Sequence, residues 1–405
     1  MRKFLNMLPL WAVLSFALAA CNGMGDDEPE VPAPVPHAML FYFVGTDLDS
    51  FFGINIAAAE RAVASGAVGN GKIAYFRRSG NNEWAISEIS YDAKKKRLSD
   101  RVLKRYQSPD LSDMKGYLAD MISLVQAESY GLILGGHGTG WLPKGNELRS
   151  YSVAGRLYPF GQAPVEGAEV TRTGAQNPAT RYFGEEGVMF NIEELAASAV
   201  STGVKFDYII FDDCFMSNIE SLYAMRRAAD YIIASPCEIM GAGFPYETVV
   251  KSLFVDEGRR HDLEGVCRNF YDYYRNYSIP SGCVAMAVCS ELDNMAAAAR
   301  RLYAAADRDV DPLTLQTYEP LNDHMFFDMM QHAEKISDDE SLVDEFRRQF
   351  DRTFPESCRL HTDTYYSVYN GRNNYINYYS GVSTSAPARV YTDEYRMTEW
   401  YRVTH

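Results

Sequence analysis

The sequence predicts an α/β fold with a mostly parallel central sheet and helices on both faces. From His37 onward, strand-like runs alternate with helix-like runs, which is the order typical of a doubly wound sheet. The short apolar runs at residues 132–134 and 208–211 match strands that are buried on both faces, as parallel strands are. A chain of 405 residues is also long enough to bury the large core that such a sheet requires.

The individual elements follow from the apolar periodicity. We expect strands in the runs that end at His137 and Cys214 and at residues 39–44, 73–76, 84–91, 231–235 and 283–288. Apolar residues at helical spacing predict helices at residues 56–63, 114–125, 192–200, 263–277 and 292–306. Asn191 is a suitable N-cap for the third of these helices. Residues 311–405 have a less regular pattern and many tyrosines.

The first 37 residues predict export and lipid attachment. Arg2 and Lys3 precede an apolar run at residues 8–20, as in a signal peptide, and the run is too short to span a membrane comfortably. The run ends in Leu-Ala-Ala-Cys21, which resembles the lipobox of bacterial lipoproteins; the alternative is an ordinary cleaved signal with a chance cysteine. Residues 21–37 are acidic and then proline-rich, which indicates an extended tether. We therefore predict a signal peptide at residues 1–20 and a chain whose contact with the membrane is a lipid on Cys21. The acidic cluster resembles sorting signals of outer-membrane lipoproteins displayed at the cell surface.

Composition excludes two classes of protein. The hydrophobic fraction of 47% argues against a disordered chain, and the net charge of −15 argues against a nucleic-acid partner. The chain has seven cysteines. If Cys21 carries lipid and Cys214 remains a thiol, the odd number that is left cannot all pair, so no disulfide framework is indicated.

Two reactive residues stand at the ends of two predicted strands. His137 follows the run Tyr-Gly-Leu-Ile-Leu-Gly-Gly, and Cys214 follows Phe-Asp-Tyr-Ile-Ile-Phe-Asp-Asp. If the strands are parallel neighbours, both residues emerge at the same carboxyl edge of the sheet. A nucleophilic cysteine needs a base, which His137 supplies, or a positive potential, which a helix beginning at Cys214 would supply. The backbone N–H groups of Gly138 and Cys214 would then form an oxyanion hole. The alternative is a cysteine that only packs in the core and a histidine that only belongs to a loop.

The residues around these two positions resemble the clostripain family of cysteine peptidases, which has the caspase-like fold. The resemblance rests on the segment at residues 136–141, Gly-His-Gly-Thr-Gly-Trp, and on Asp-Asp-Cys-Phe-Met at residues 212–216, followed by Glu220. The turn at residues 46–49 and the segment at residues 238–246 are also similar to family segments. The resemblance implies a peptidase core at residues 38–260, with residues 261–405 as a C-terminal extension packed on it. It further implies a protein or peptide substrate, a thioester acyl-enzyme and cleavage after Arg or Lys through an acidic pocket.

Two acidic residues are candidates for that pocket. Strand alternation places Asp212 on the same side as Cys214, and Glu238 follows the end of another predicted strand. The alternative role of Asp212 is to cap the following helix. Asp213 departs from the family pattern, and its charge would raise the pKa of the thiol if it faces inward. This departure favours the rival hypothesis, a surface lipoprotein that binds partners on a caspase-like frame without catalysis.

The loop and the histidines outside these motifs give three further expectations. Residues 142–181 form a long irregular segment with several basic residues, so self-cleavage there is a hypothesis. His324 and His332 are eight residues apart, which is too far for a helical metal-binding pair, and we expect no metal site. The sequence requires no cofactor, but some relatives need calcium, so the resemblance leaves calcium open. The oligomeric state is not indicated.

Overall fold

The computed structural model describes residues 33–92, 94–143, 190–321 and 323–405, with two short strands between residues 152 and 157. The predicted signal peptide, Cys21 and most of the tether lie outside these residues, and so does nearly all of the segment at residues 142–181. Residues 34–405 form one compact unit. No helix in the described ranges has the length and apolar character needed to cross a bilayer.

The strands are named in chain order. They are β1 (Val35–Phe43), β2 (Lys72–Gly80), β3 (Glu83–Asp92), β4 (Arg97–Gln107), β5 (Ala127–Gly135), β6 (Ser152–Val153), β7 (Arg156–Leu157), β8 (Phe206–Asp212), β9 (Ala229–Ala234), β10 (Cys283–Val288), β11 (Phe327–Asp328), β12 (Leu360–His361), β13 (Thr364–Ser367), β14 (Arg372–Tyr375) and β15 (Ser383–Thr384). Within the described residues, nine of them form one sheet in the order β12-β10-β9-β8-β5-β1-β2-β3-β4.

The centre of this sheet is parallel and its two ends are antiparallel. Strands β9, β8, β5, β1 and β2 run parallel to their neighbours within this group. At one end β3 and β4 add an antiparallel hairpin, and at the other end β10 and β12 are antiparallel. The central strands are apolar on both faces, as the sequence predicts, because helices cover both sides.

The helices are also named in chain order. They are α1 (Asp49–Ala64), α2 (Met114–Leu124), α3 (Ile192–Val200), α4 (Ile219–Met225), α5 (Tyr246–Leu253), α6 (Leu263–Arg275), α7 (Leu292–Ala304), α8 (Met329–Lys335), α9 (Glu340–Thr353), α10 (Thr392–Arg396) and α11 (Glu399–Thr404). Adjacent residues of β8 point into different cores: Ile209 packs with the apolar faces of α2, α3, α4 and α7, and Ile210 packs with those of α1, α5 and α6. The prediction of an α/β sheet with helices on both faces is confirmed.

Two elements have the predicted bounds, and the others begin or end at different residues or were not predicted. Helix α3 and strand β10 begin and end where the sequence predicts. Helix α3 begins at Ile192 because Asn191 and Glu194 form a capping box. Strand β4 was not predicted, and the helix after Cys214 begins only at Ile219. Strands β10 and β12 extend the central sheet although they come from residues 261–405; the boundary at residue 260 stays a prediction.

Candidate active site

His137 and Cys214 lie at the same edge of the sheet. Strands β5 and β8 pair in parallel with Gly135 opposite Asp212, and each of the two reactive residues comes two positions after that pair. The backbones remain close beyond the strands, because a Cβ atom built on Gly138 would lie 2.2 Å from the carbonyl oxygen of Cys214 and 3.1 Å from its amide nitrogen. The two segments are thus in direct contact, although 77 positions separate the residues in the sequence.

The imidazole of His137 is oriented by Asp47. His137 is 3% exposed, and its Nε2 lies 2.8 Å and 3.0 Å from the two carboxylate oxygens of Asp47. A carboxylate accepts hydrogen bonds, so Nε2 carries the proton and Nδ1 is the basic nitrogen of the neutral ring. Asp47 follows β1, the other neighbour of β5 in the sheet. The turn at residues 46–49 resembles a family segment, but its local sequence does not reveal this role of Asp47.

The thiol of Cys214 is fully buried. Its Sγ accepts a hydrogen bond from the backbone N–H of Ile239 at 3.2 Å. Burial raises the pKa of the thiol well above its usual value, and the nearby charges of Glu238 and Asp213 raise it further, against the opposing effect of the Ile239 hydrogen bond. In this arrangement the sulfur is therefore a neutral thiol.

The expectation that Cys214 begins a helix was wrong. Phe215 has a left-handed backbone with φ of 60°, and its N–H donates to the carbonyl oxygen of Cys237. The N–H of Ser217 donates to the carbonyl oxygen of Ser235 in the same way. These bonds hold residues 215–217 against the segment after β9, so α4 starts at Ile219. The dipole of α4 therefore does not begin at the thiol.

Three acidic residues surround the ends of these strands. Asp212 is fully buried and accepts a hydrogen bond from the hydroxyl of Tyr246 at 2.6 Å. Glu238 is 1% exposed and accepts one from the backbone N–H of Val368 at 3.1 Å. Asp213, together with His137, lines a mainly apolar cavity beside β5. The predicted pocket residues Asp212 and Glu238 are thus buried carboxylates near the same edge as Cys214.

Comparisons with known proteins bear on the family and the fold of this chain. The sequence model of the clostripain family matches residues 176–396, which is more than half of the chain. A secreted C11 cysteine protease from Bacteroides thetaiotaomicron, "iotapain", is 28% identical with a TM-score of 0.78 and covers 92% of this chain and 100% of its own. An inactive zymogen C11 protease from Parabacteroides distasonis is 25% identical with a TM-score of 0.73 and covers 93% of this chain and 99% of its own.

A third solved structure and the curated proteins were also compared with this chain. A third structure, a C11 cysteine protease from Bacteroides thetaiotaomicron in complex with an irreversible peptide inhibitor, is 22% identical with a TM-score of 0.73 over 91% of this chain and 99% of its own, and it supports the fold alone. The comparison with curated proteins gave no significant match. The matches agree with a mostly parallel sheet of the caspase-like type. The chain therefore belongs to the clostripain family and is a clostripain-like cysteine endopeptidase.

Proposed function

We propose that the enzyme cleaves peptide bonds with Cys214 as the nucleophile and His137 as the general base. The observation that carries this proposal is the backbone contact between Gly138 and Cys214 at the paired ends of β5 and β8. The Nδ1 atom of His137 takes the proton of the thiol, and Sγ attacks the substrate carbonyl carbon. The N–H groups of Gly138 and Cys214 stabilise the oxyanion. The amine leaves with the proton from His137, and water then hydrolyses the thioester.

Substrate preference is the second part of the proposal. Asp212 and Glu238 are desolvated carboxylates on two neighbouring strand ends, and a buried carboxylate attracts a cationic side chain more strongly than an exposed one. We therefore expect cleavage after Arg or Lys. A bound cation near Glu238 would also offset one of the charges that raise the pKa of Cys214. Substrate binding would thus promote formation of the thiolate.

The buried thiol implies that the active site is rearranged before turnover. A substrate carbonyl cannot reach an Sγ atom that has no exposed surface. Cleavage within residues 142–181, which contain basic residues of the kind that the enzyme would cut, provides a trigger for such a rearrangement. The Parabacteroides distasonis relative is described as an inactive zymogen, which supports the idea. Recovery of the wild-type protein as one uncut but fully active chain would reject it.

We further propose that the protein is exported and attached through lipidated Cys21 to the outer membrane. The apolar leader, the Leu-Ala-Ala-Cys segment and the proline-rich tether support this location, and one relative is described as secreted. Mass spectrometry of the mature N-terminus tests it, because acylation of Cys21 adds a defined mass. Calcium dependence is also a proposal, and activity after treatment with EGTA tests it.

A panel of fluorogenic peptides that differ in the residue before the scissile bond tests the catalytic proposal. Cys214→Ala should lower turnover by at least about 1,000-fold, because removing the nucleophile of a catalytic pair removes nearly all of its contribution. Cys289→Ala is the matched control, since Cys289 is also a buried free thiol but follows β10. Equal turnover by wild type and Cys214→Ala would end the proposal. A preference for apolar or acidic residues would remove Asp212 and Glu238 from the pocket and leave the nucleophile in place.

A further inference from the structure

Three side chains meet at the amino ends of β1 and β8, far from the active site. Asp207 Oδ2 lies 3.0 Å from Nε2 of His261 and 3.6 Å from Nδ1 of His37. His37 belongs to β1, Asp207 to β8, and His261 lies in the segment between α5 and α6. Asp207 lies about 17 Å of extended strand away from Asp212 at the other end of β8, and Cys214 follows Asp212. The cluster is therefore independent of the catalytic machinery.

The hydrogen bonds of His261 leave a lone pair directed at a carboxylate. Its Nδ1 lies 2.7 Å from the carbonyl oxygen of Leu253, and because a carbonyl only accepts, Nδ1 carries a hydrogen. In the neutral ring, Nε2 then presents its lone pair to Asp207 at 3.0 Å. Two acceptors at this distance repel each other unless a proton or a metal cation lies between them. Metal-binding histidines usually have this arrangement, in which the ring nitrogen that does not bind the metal donates to a carbonyl or carboxylate.

His37 is the second histidine beside Asp207, and its Nε2 faces a hydroxyl rather than a backbone carbonyl. It is fully buried on β1. Its Nε2 lies 3.0 Å from the hydroxyl oxygen of Tyr208. When Nδ1 is unprotonated, Nε2 carries the hydrogen and donates it to this oxygen. Nδ1 then faces Asp207 and the hydroxyl of Ser129, the latter at 2.8 Å. The Ser129 hydroxyl also lies 3.4 Å from the carbonyl oxygen of Pro36, so it has a second partner when Nδ1 binds a cation.

The chemistry of the three donors and the two distances from Asp207 suit a zinc-type ion. The ligand atoms all lie within 4.8 Å of one another. Tetrahedral Zn²⁺ with bonds of about 2.0–2.1 Å holds neighbouring ligands about 3.3 Å apart, and the distances of 3.0 Å and 3.6 Å bracket that value. Two imidazoles and one carboxylate suit Zn²⁺, whereas Ca²⁺ and Mg²⁺ prefer oxygen ligands. Asp207 and His261 are partly exposed, with 30% and 12% of their side chains accessible, so an ion can enter from solvent.

We propose that His37, Asp207 and His261 bind one Zn²⁺ ion. The ion joins the beginning of β1 to β8 and to the segment between α5 and α6. Since β1 is the first strand of the sheet in the chain, the ion fastens the amino-terminal end of the folded unit. A fourth position remains for water, which is ordinary for a site with three protein ligands.

The test is a titration of the purified full chain with Zn²⁺ alone, after removal of metal with EDTA. The titration uses the Cys214→Ala background, so that the catalytic thiol cannot serve as a ligand. We expect one ion per chain and a higher melting temperature with Zn²⁺. His261→Ala and Asp207→Asn should each weaken binding by more than about 100-fold, since loss of a ligand costs at least as much as loss of a second-shell partner.

The matched control is His324→Ala. His324 is also a partly buried histidine bonded to a carboxylate, that of Glu319 at 2.9 Å, but it lies outside the cluster. This variant should bind Zn²⁺ like its parent. Visible absorption of bound Co²⁺ gives a second measurement that needs no ligand variant, because three nitrogen and oxygen ligands in a tetrahedral site give an intense spectrum. Absence of Zn²⁺ binding by the parent protein, or equally tight binding by His261→Ala, would overturn the proposal.

Discussion

Gly138→Ala probes the contact on which the proposed dyad depends. The added Cβ would lie 2.2 Å from the carbonyl oxygen of Cys214, whereas real Cβ atoms essentially never come closer than 3.0 Å to another heavy atom. The backbones after β5 and β8 must therefore separate by at least about 0.8 Å, because neither partner is a flexible side chain. A misplacement of about 1 Å at an active site lowers the rate by about 100-fold. We expect a loss of this size in kcat/KM for an Arg peptide, together with about 1–3 kcal/mol of lost stability from overpacking.

Gly203→Ala separates the two effects. Gly203 has a φ of +76°, so an alanine there costs about 1 kcal/mol, but no heavy atom lies within 4 Å of the added Cβ. Urea unfolding should show a stability loss for both variants, and peptide turnover should fall only for Gly138→Ala. If Gly138→Ala retains kcat/KM within about twofold of wild type, the contact between Gly138 and Cys214 does not exist in the active enzyme, and the reasoning from strand register fails.

Three further substitutions test individual side chains. Asp47→Asn should lower kcat by about 10–100-fold with little change in KM, because an amide cannot balance the imidazolium charge of His137; an unchanged kcat in steady-state assays would contradict this. Glu238→Gln removes a charge that raises the pKa of Cys214. Because the resting enzyme holds a neutral thiol, the falling limb of kcat/KM against pH should move to lower pH, and an unmoved limb would show that the charge does not act on the thiol. Burial lowers the pKa of His332 to about 4, below the ordinary 6.5 of the unfolded chain. The unfolded state therefore gains a proton first, and stability falls as the pH drops from 6.5 towards 4. The loss attributable to His332 is about 2 kcal/mol at pH 5, so urea unfolding of His332→Gln should show a smaller difference between pH 7 and pH 5 than that of wild type.

The sequence predicted elements whose signals are local. Helix α3 has its cap, Asn191, and its apolar face within a few residues, and β10 is a continuous apolar run. Strand β4 escaped prediction because most of its residues are polar and exposed, so it carries no apolar alternation. Its existence depends on pairing with β3 rather than on its own residues.

The parts of the candidate site that have local sequence signals were predicted, and the parts that depend on distant residues were not. His137 and Cys214 each follow an apolar strand, so their position at the sheet edge was accessible from the pattern. The left-handed turn at Phe215 depends on hydrogen bonds to a distant segment, and no local signal reveals it. The bond from Asp47 to His137 joins residues ninety positions apart and likewise needs the folded structure.

The outermost strand β4 has a consequence for how copies of the protein behave when crowded. Within the described residues β4 pairs only with β3, and the backbone groups on its other side would ordinarily serve as a template for the sheet of another molecule. The strand instead carries Arg101, Lys104 and Arg105, which are engaged with carboxylates on β3 and α2. A second molecule would have to desolvate these charged side chains before it could add a strand to the sheet. We therefore expect that molecules at high concentration do not associate through the β4 edge of the sheet.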